Sequence, residues 1–155
     1  GKVRQDFFDK LSLIQHAPPG RKQKELYTML YLYYPKCTTC GKASHWLAER
    51  GLAFTAQWLE NPDSSFVARD IKKDNPTEAE LRAWHAKSGL PLKRFFNTSG
   101  QQYRALELKD KLPTMSEDEQ FALLASDGML VKRPILVGDD FVLVGFKQAE
   151  WEDAL

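Results

Sequence analysis

The sequence predicts one α/β domain built on a mixed four-stranded sheet, with a helical insertion between the second and third strands. Three observations support this fold class. An aromatic, apolar run near residue 30 is followed by a helical pattern and then by a second strand pattern. The middle of the chain carries helical spacing and capping residues. The last third holds two short apolar runs joined by a Gly-Asp-Asp turn, which is typical of a β-hairpin.

The composition fits a single globular domain. The chain has 155 residues, of which 43% are hydrophobic and 28% charged, and this length suffices for one core. The net charge is +1, so no overall field attracts nucleic acid or an anionic membrane. No apolar run approaches the roughly 20 residues of a membrane span. We expect a cytoplasmic, monomeric protein without direct contacts to nucleic acid or membrane.

Residues 1–28 are predicted to be an N-terminal extension to a domain that spans residues 29–155. Pro18-Pro19-Gly20 marks a break between the two parts. Lys24-Glu25 can be encoded by a purine run like a bacterial ribosome-binding site, three codons before Met29. Two interpretations stay open: a translated upstream region that is not native protein, and a docking helix.

The first strand and the first helix are predicted on either side of two cysteines. Leu30 to Tyr34 form an apolar, aromatic run that Pro35 ends. Between Cys40 and about Arg50, apolar residues recur at helical spacing, and Gly51 supplies a stop. The chain therefore passes from strand to helix across the cysteine pair.

The second strand has two candidates, residues 53–59 and residues 66–71, and each is followed by an acid-Asn-Pro turn. The pattern alone does not choose between them. Residues 57–68 resemble an insertion, because removing them joins residues 54–56 to residues 69–71 as one strand. We expect this insertion to form a surface loop that proteases can reach.

The remaining elements complete the sheet and its helical cover. Capping boxes begin helices at Thr77 and Ser116, each with Glu three residues later. Strands are predicted at Pro134–Val137 and Phe141–Val144, and a last helix from about Gln148. A parallel strand pair next to an antiparallel pair, backed by helices, is the thioredoxin-like arrangement.

The Cys37-Thr38-Thr39-Cys40 motif predicts thiol chemistry. A sulfur at the start of a helix faces unpaired N–H groups and the positive end of the helix dipole, which lowers its pKa. Cys37 then becomes a nucleophile, and Lys36 and Lys42 add positive charge nearby. Cys40, one turn further on, can attack a mixed disulfide on Cys37 and release the substrate.

Two alternative roles for the cysteine pair stay open. The pair could be half of a zinc site, although the remaining ligands would have to come from three histidines without zinc-site spacing, namely His16, His45 and His85. The two thiols could also simply fill space in the core. We expect no bound metal, and no role in catalysis for His45 or His85.

Arg133 and Pro134 come directly before the third strand. A proline at this point of the thioredoxin-like arrangement commonly follows a cis peptide bond and shapes the substrate groove. Arg133 would then bring a guanidinium close to Cys37, where it could hold an oxyanion or help the thiolate. A solvated arginine at a strand end is the alternative.

Several segments together resemble the ArsC/Spx family, the arsenate reductase-like branch of the thioredoxin fold. The segments are Tyr33–Cys40, Phe95–Gly100 with Tyr103-Arg104, Asp127–Leu130, Lys132–Ile135 and Val144–Phe146. The likeness covers Met29 to the C-terminus. It implies a thioredoxin-like domain with a helical insertion between the second and third strands.

The resemblance leaves three functions to separate: a thiol-disulfide oxidoreductase, an arsenate reductase, and a redox-sensing regulator that docks on the C-terminal domain of the RNA polymerase α chain. Arsenate reductases of the family bind the oxyanion with one cysteine and three arginines. Cys37 and Arg133 match two of these positions, Lys93 takes another, and Gly145 lies near the last.

Among these functions we expect thiol-disulfide redox chemistry, with Cys37 as nucleophile, Cys40 as resolving thiol and Arg133 as the anion or thiolate partner. The residues expected to bind substrate are Thr38, Thr39, Lys93 and Pro134. The sulfurs themselves carry the electrons, so no cofactor is implied. Glutathione, a glutaredoxin or a thioredoxin could act as electron donor.

Overall fold

A computed structural model describes residues 29–62 and 65–155. Its sheet has four strands: β1 (Met29–Tyr33), β2 (Phe66–Asp70), β3 (Ile135–Val137) and β4 (Val142–Val144), in the spatial order β2-β1-β3-β4. Strand β1 pairs parallel to β2 and antiparallel to β3, and β3 pairs antiparallel to β4. The expected mixed four-stranded, thioredoxin-like sheet is confirmed.

The helices in the described residues cover both faces of this sheet. They are α1 (Thr38–Glu49), α2 (Ala56–Glu60), α3 (Glu78–Ser88), α4 (Gln101–Ala105), α5 (Leu108–Lys111), α6 (Glu117–Ser126) and α7 (Gln148–Ala154). Short 3₁₀ turns lie at Leu92–Phe95, Leu112–Thr114 and Gly128–Leu130. The helical insertion is therefore the segment from α3 to the 3₁₀ turn before β3.

Strand β1 is buried on both faces because it is central in the sheet. Met29 and Tyr31 pack with Trp46 of α1 and Trp151 of α7 in one core. The intervening leucines of β1 pack in the other core, which contains residues of α3, α4 and α6. A strand covered on both faces is apolar at nearly every position, which explains the continuous apolar run in the sequence.

Both predicted capping boxes are present. The Thr77 side chain accepts a hydrogen bond from the Glu80 amide, and the Glu80 carboxylate accepts one from the Thr77 amide. Ser116 and Glu119 make the same pair of bonds at the start of α6. Each box supplies partners for N–H groups that the first helical turn leaves unpaired.

The second of the two candidates is the strand, because residues 66–70 form β2. This strand pairs with β1 in a register that begins with Met29 opposite Phe66. The first candidate instead overlaps helix α2. The expectation that residues 57–68 form a surface loop is therefore wrong for residues 57–60, which belong to α2, and for residues 66–68, which belong to the sheet. That the segment is an insertion stays a prediction.

The predicted N-terminal extension lies outside the described residues, so both of its interpretations stay predictions. Among the helices that are described, none combines the length and the apolar character needed to cross a bilayer.

Candidate functional site

Cys37 occupies the N-cap position of α1. Its backbone is extended, with φ −90° and ψ 122°, and its Sγ accepts a hydrogen bond from the Cys40 amide at 3.4 Å. The Cys37 amide in turn donates to the Tyr34 carbonyl at 3.0 Å, so the loop after β1 fixes the residue. The sulfur thus lies where the unpaired N–H groups of the helix point.

Cys40 lies one helical turn deeper in the protein. Its side chain is buried, and its Sγ accepts a hydrogen bond from the Tyr34 amide at 3.5 Å. Its carbonyl accepts a hydrogen bond from the Tyr31 hydroxyl, 3.0 Å away. Of the two thiols, Cys37, which is half-buried, is the one open to a molecule arriving from solvent.

The environments of the two sulfurs drive their pKa values apart. Burial alone would raise the pKa of Cys37, but hydrogen bonds from the Cys40 amide and thiol, together with the charge of Arg133, outweigh burial and lower it. Burial raises the pKa of Cys40 to about 12, and the negative charge on Cys37 adds to the increase. One thiol is therefore poised as a nucleophile while the other holds its proton.

Arg133 reaches this site from the segment before β3. The Arg133–Pro134 peptide bond is cis, as the sequence predicts. The guanidinium carbon lies 5.3 Å from the centroid of the Tyr34 ring, and Nη1 donates to the Met129 carbonyl at 3.4 Å. Pro134 is buried, and its carbonyl accepts a hydrogen bond from the Gly145 amide at 2.7 Å.

A cavity of about 470 Å³ opens beside Cys37. Its walls come from α1, from the start of α4 and from the segment before β3. The lining residues are Cys37, Thr39, Asn97, Ser99, Gly100, Gln101, Gln102, Met129, Lys132 and Arg133. The described part of the chain contributes lysine, arginine and side-chain amides to this lining and no carboxylate, so the cavity suits a polar or anionic group next to the nucleophile.

Backbone hydrogen bonds hold two of these walls together. The Asn97 amide donates to the Leu130 carbonyl at 2.8 Å, and the Lys132 amide donates to the Phe95 carbonyl at 2.8 Å. Between them, Phe96 and Val131 form an isolated antiparallel bridge. The cavity is consequently framed by fixed backbone rather than by a free loop.

On its other side, Cys37 borders an open, shallow surface. This surface is lined by Pro35, Lys36, Cys37, Thr38, Gly41, Lys42 and His45. His45 makes a 2.7 Å contact with Glu49 one turn along α1. Positive side chains therefore stand on both sides of the nucleophile.

Some of the predicted site residues line the cavity, and others lie on the shallow surface or away from both. Cys37, Thr39 and Arg133 line the cavity together, whereas Thr38 faces the shallow surface. Lys93 is exposed on the 3₁₀ turn and does not line the cavity. Its predicted part in substrate binding, like that of Thr38 and Pro134, stays a prediction.

Sequence reasoning missed several cavity residues as individual contributors. They are Asn97, Ser99, Gly100, Gln101, Gln102, Met129 and Lys132. Most of them belong to the segments that carried the family resemblance, which was the signal that could have found them. Within residues 29–62 and 65–155, no three metal-ligating side chains gather into one group.

Residues 32–154 match the ArsC family, and the chain belongs to this family. The YusI protein of Bacillus subtilis (strain 168) is 47% identical over 126 residues, which is 81% of this chain and 97% of YusI. Regulatory protein MgsR of the same strain is 25% identical, over 79% of this chain and 86% of MgsR.

Solved structures agree with this assignment. An ArsC family related protein from Bacteroides fragilis superimposes with a TM-score of 0.73 at 51% identity, covering 83% of this chain and 98% of the other. A protein of Streptococcus mutans UA159, described as a possible arsenate reductase, gives a TM-score of 0.69 at 42% identity, covering 83% and 99%.

Proposed function

We propose that the protein is a cytoplasmic thiol-disulfide oxidoreductase in which Cys37 is the nucleophile and Cys40 the resolving thiol. The observation that carries the proposal is the contrast between the two sulfurs. Cys37 accepts the Cys40 amide hydrogen bond at the open end of α1, while Cys40 is buried behind it. A reducing compartment keeps both thiols available.

The reaction begins when the Cys37 thiolate attacks a substrate disulfide. A bond forms between Cys37 Sγ and one substrate sulfur, the substrate S–S bond breaks, and the other sulfur leaves as a thiolate that takes a proton from solvent. Arg133 stands beside the reacting sulfur, where its charge stabilises anionic groups.

The second step uses Cys40. Burial and the charge on Cys37 both raise the pKa of Cys40, and the first step removes that charge. Cys40 then loses its proton more readily, with the Tyr34 amide 3.5 Å from its sulfur to stabilise the anion. Cys40 attacks Cys37 Sγ, the mixed disulfide breaks, and the second substrate thiol leaves.

The substrate has then gained two electrons, and the protein holds a Cys37–Cys40 disulfide. Two donor thiols restore the pair: the first attacks the Cys37–Cys40 disulfide, the second displaces the freed cysteine from the mixed disulfide, and the two donor sulfurs leave as a disulfide that has given up two electrons. Glutathione, a glutaredoxin or a thioredoxin has the required chemistry, because each exchanges thiols for disulfides.

Trapping the mixed disulfide tests the proposal. Incubated with oxidised glutathione, Cys40→Ser is expected to accumulate one glutathione adduct on Cys37, since nothing resolves it. The wild type should instead form the internal disulfide and release glutathione. Cys37→Ser is the matched control and should react slowly. The proposed roles would be contradicted if glutathione added to Cys40 in the Cys37→Ser variant as fast as it adds to Cys37 in the Cys40→Ser variant.

A redox-sensing regulator is the second candidate, favoured by the similarity to regulatory protein MgsR. In that case Cys37 and Cys40 would form a switch, and the partner implied by the family resemblance is the C-terminal domain of the RNA polymerase α chain. Binding of that domain that changes between reduced and oxidised protein, without catalytic turnover of oxidised glutathione, would favour the regulator.

An arsenate reductase is the third candidate, favoured by the cations of the cavity. Arg133 is the one arginine of residues 29–62 and 65–155 that lines it, and Lys132 adds a second positive charge. Lys132 Cε lies 3.2 Å from where a Cβ on Gly145 would be, so the lysine occupies the space beside that glycine. Glutathione-dependent turnover of arsenate, lost in Cys37→Ser, would favour this candidate.

A further inference from the structure

Few contacts hold the Arg133 guanidinium beside Cys37. Its Nη1 makes one long hydrogen bond, 3.4 Å, to the Met129 carbonyl. Its Nε is buried and has no hydrogen-bond partner among the described residues. Besides the interaction with Cys37 itself, the face of the Tyr34 ring, 5.3 Å from the guanidinium carbon, is a contact from the described residues that can fix the group. Arginine over an aromatic face is attracted by the ring quadrupole, more strongly where water is excluded.

Tyr34 is itself fixed by hydrogen bonds to Cys37 and Cys40 in the segment where β1 leads into α1. Its amide donates to Cys40 Sγ at 3.5 Å, and its carbonyl accepts from the Cys37 amide at 3.0 Å. The residue that carries the ring therefore also contacts the backbone or the sulfur of both cysteines. A guanidinium held against this ring is therefore held against the loop that carries Cys37.

From this arrangement we propose that Tyr34 is a positioning residue, whose ring holds Arg133 beside Cys37 and so sets how readily that thiol reacts. The inference rests on the proposed redox function. The Tyr34 ring acts through Arg133, which it contacts.

Other groups around Cys37 stay in place when the ring is changed. The Cys40 amide and thiol approach from α1, and Lys132 approaches from the cavity wall. Lys36, Lys42 and His45 lie on the shallow surface. Lys72 Nζ is 6.0 Å from the Tyr34 ring centroid and does not line the cavity. Arg133 and Lys72 both contact the ring, but Arg133 is the one of the two that lines the cavity with Cys37, so the reactivity of Cys37 should change through Arg133.

The test is the pH dependence of Cys37 alkylation in ring variants. Tyr34→Leu is expected to move the midpoint upward, so that one pH unit below the wild-type midpoint the rate falls about twofold to fivefold. That range is a cation–π energy of about 0.5–1 kcal/mol expressed as a fold-change. Tyr34→Phe keeps the aromatic face and should match the wild type. Should Tyr34→Leu fail to fold, Tyr34→Met carries the same expectation, because methionine fills the space without a ring.

Two controls separate positioning from general disturbance. Tyr33→Leu removes a neighbouring ring that packs in the opposite core, against Tyr31 and Phe54, and should leave the midpoint unchanged. In an Arg133→Met background, the Tyr34→Leu change should have no further effect on the midpoint.

Each outcome decides the inference. An unchanged midpoint in Tyr34→Leu, an equal shift in Tyr34→Phe, or an undiminished Tyr34 effect in the Arg133→Met background would overturn the positioning role. None of these results would affect the proposed function. A wild-type Cys37 that titrates like an ordinary thiol would instead remove the basis of the proposed function itself.

Discussion

The two cysteines should react with an alkylating reagent at very different rates at pH 7. The pKa of Cys40 is raised to about 12 by burial, so about one Cys40 side chain in 10⁵ is a thiolate. The pKa of Cys37 lies below the ordinary 9.0 of a thiol, so at least about 1% of Cys37 is thiolate. The reactive populations therefore differ by at least about 10³-fold.

Part of this difference is offset by intrinsic reactivity. Thiolate nucleophilicity falls by about 0.4–0.5 log unit for each unit of decrease in pKa, which offsets about 1.5 of the three log units. A preference for Cys37 of about 30-fold remains. Because the Cys40 side chain is only 1% exposed, access to the reagent increases the preference further.

Labelling with less than one equivalent of iodoacetamide at pH 7 measures the preference. Both cysteines fall between Lys36 and Lys42, hence in one tryptic peptide, and fragmentation of that peptide by mass spectrometry locates the label. In denaturant the preference should largely disappear, since the cause is the folded environment. Comparable labelling of Cys37 and Cys40 in the native protein would refute the reasoning.

Two stability predictions follow from the same structure. Gly128→Ala should lower the free energy of unfolding by about 1–3 kcal/mol, because the new Cβ would overlap the Ile71 carbonyl oxygen and lie 2.8 Å from its carbon. Gly41→Ala, where nothing lies within 4 Å, is the control and should be neutral or stabilising in urea unfolding. Glu80→Gln should cost about 1–2 kcal/mol at pH 7, because Arg69 donates to this carboxylate at 2.7 and 3.0 Å. Burial opposes ionisation of Glu80, but these hydrogen bonds lower its pKa. The stabilisation is therefore present above the pKa of glutamate in the unfolded chain and disappears as the pH falls through the pKa of Glu80 in the folded protein. A loss of stability in Glu80→Gln that is equal at acidic and neutral pH would contradict this.

Local signals in the sequence predicted most of the architecture. The capping boxes at Thr77 and Ser116 and the apolar run of β1 depend on neighbouring residues, and each lies where it was expected. The helix start at Cys37 was also readable, since a Cys-x-x-Cys after a strand favours that position.

Long-range pairing accounts for what the sequence could not predict. Residues 53–59 and 66–71 are both apolar enough for a strand, and only the register with β1 selects the second. The cavity walls are likewise set by hydrogen bonds between residues 95–97 and 130–132, more than 30 positions apart. Periodicity reports which face of an element is buried, but it does not report its partner.

The pH dependence of Cys37 alkylation in the wild-type protein tests the central claim most directly. The claim is that the amide and thiol of Cys40, together with Arg133, stabilise the Cys37 thiolate more than burial destabilises it. The rate should rise through a midpoint below 9.0. A midpoint at or above that ordinary value would contradict the account.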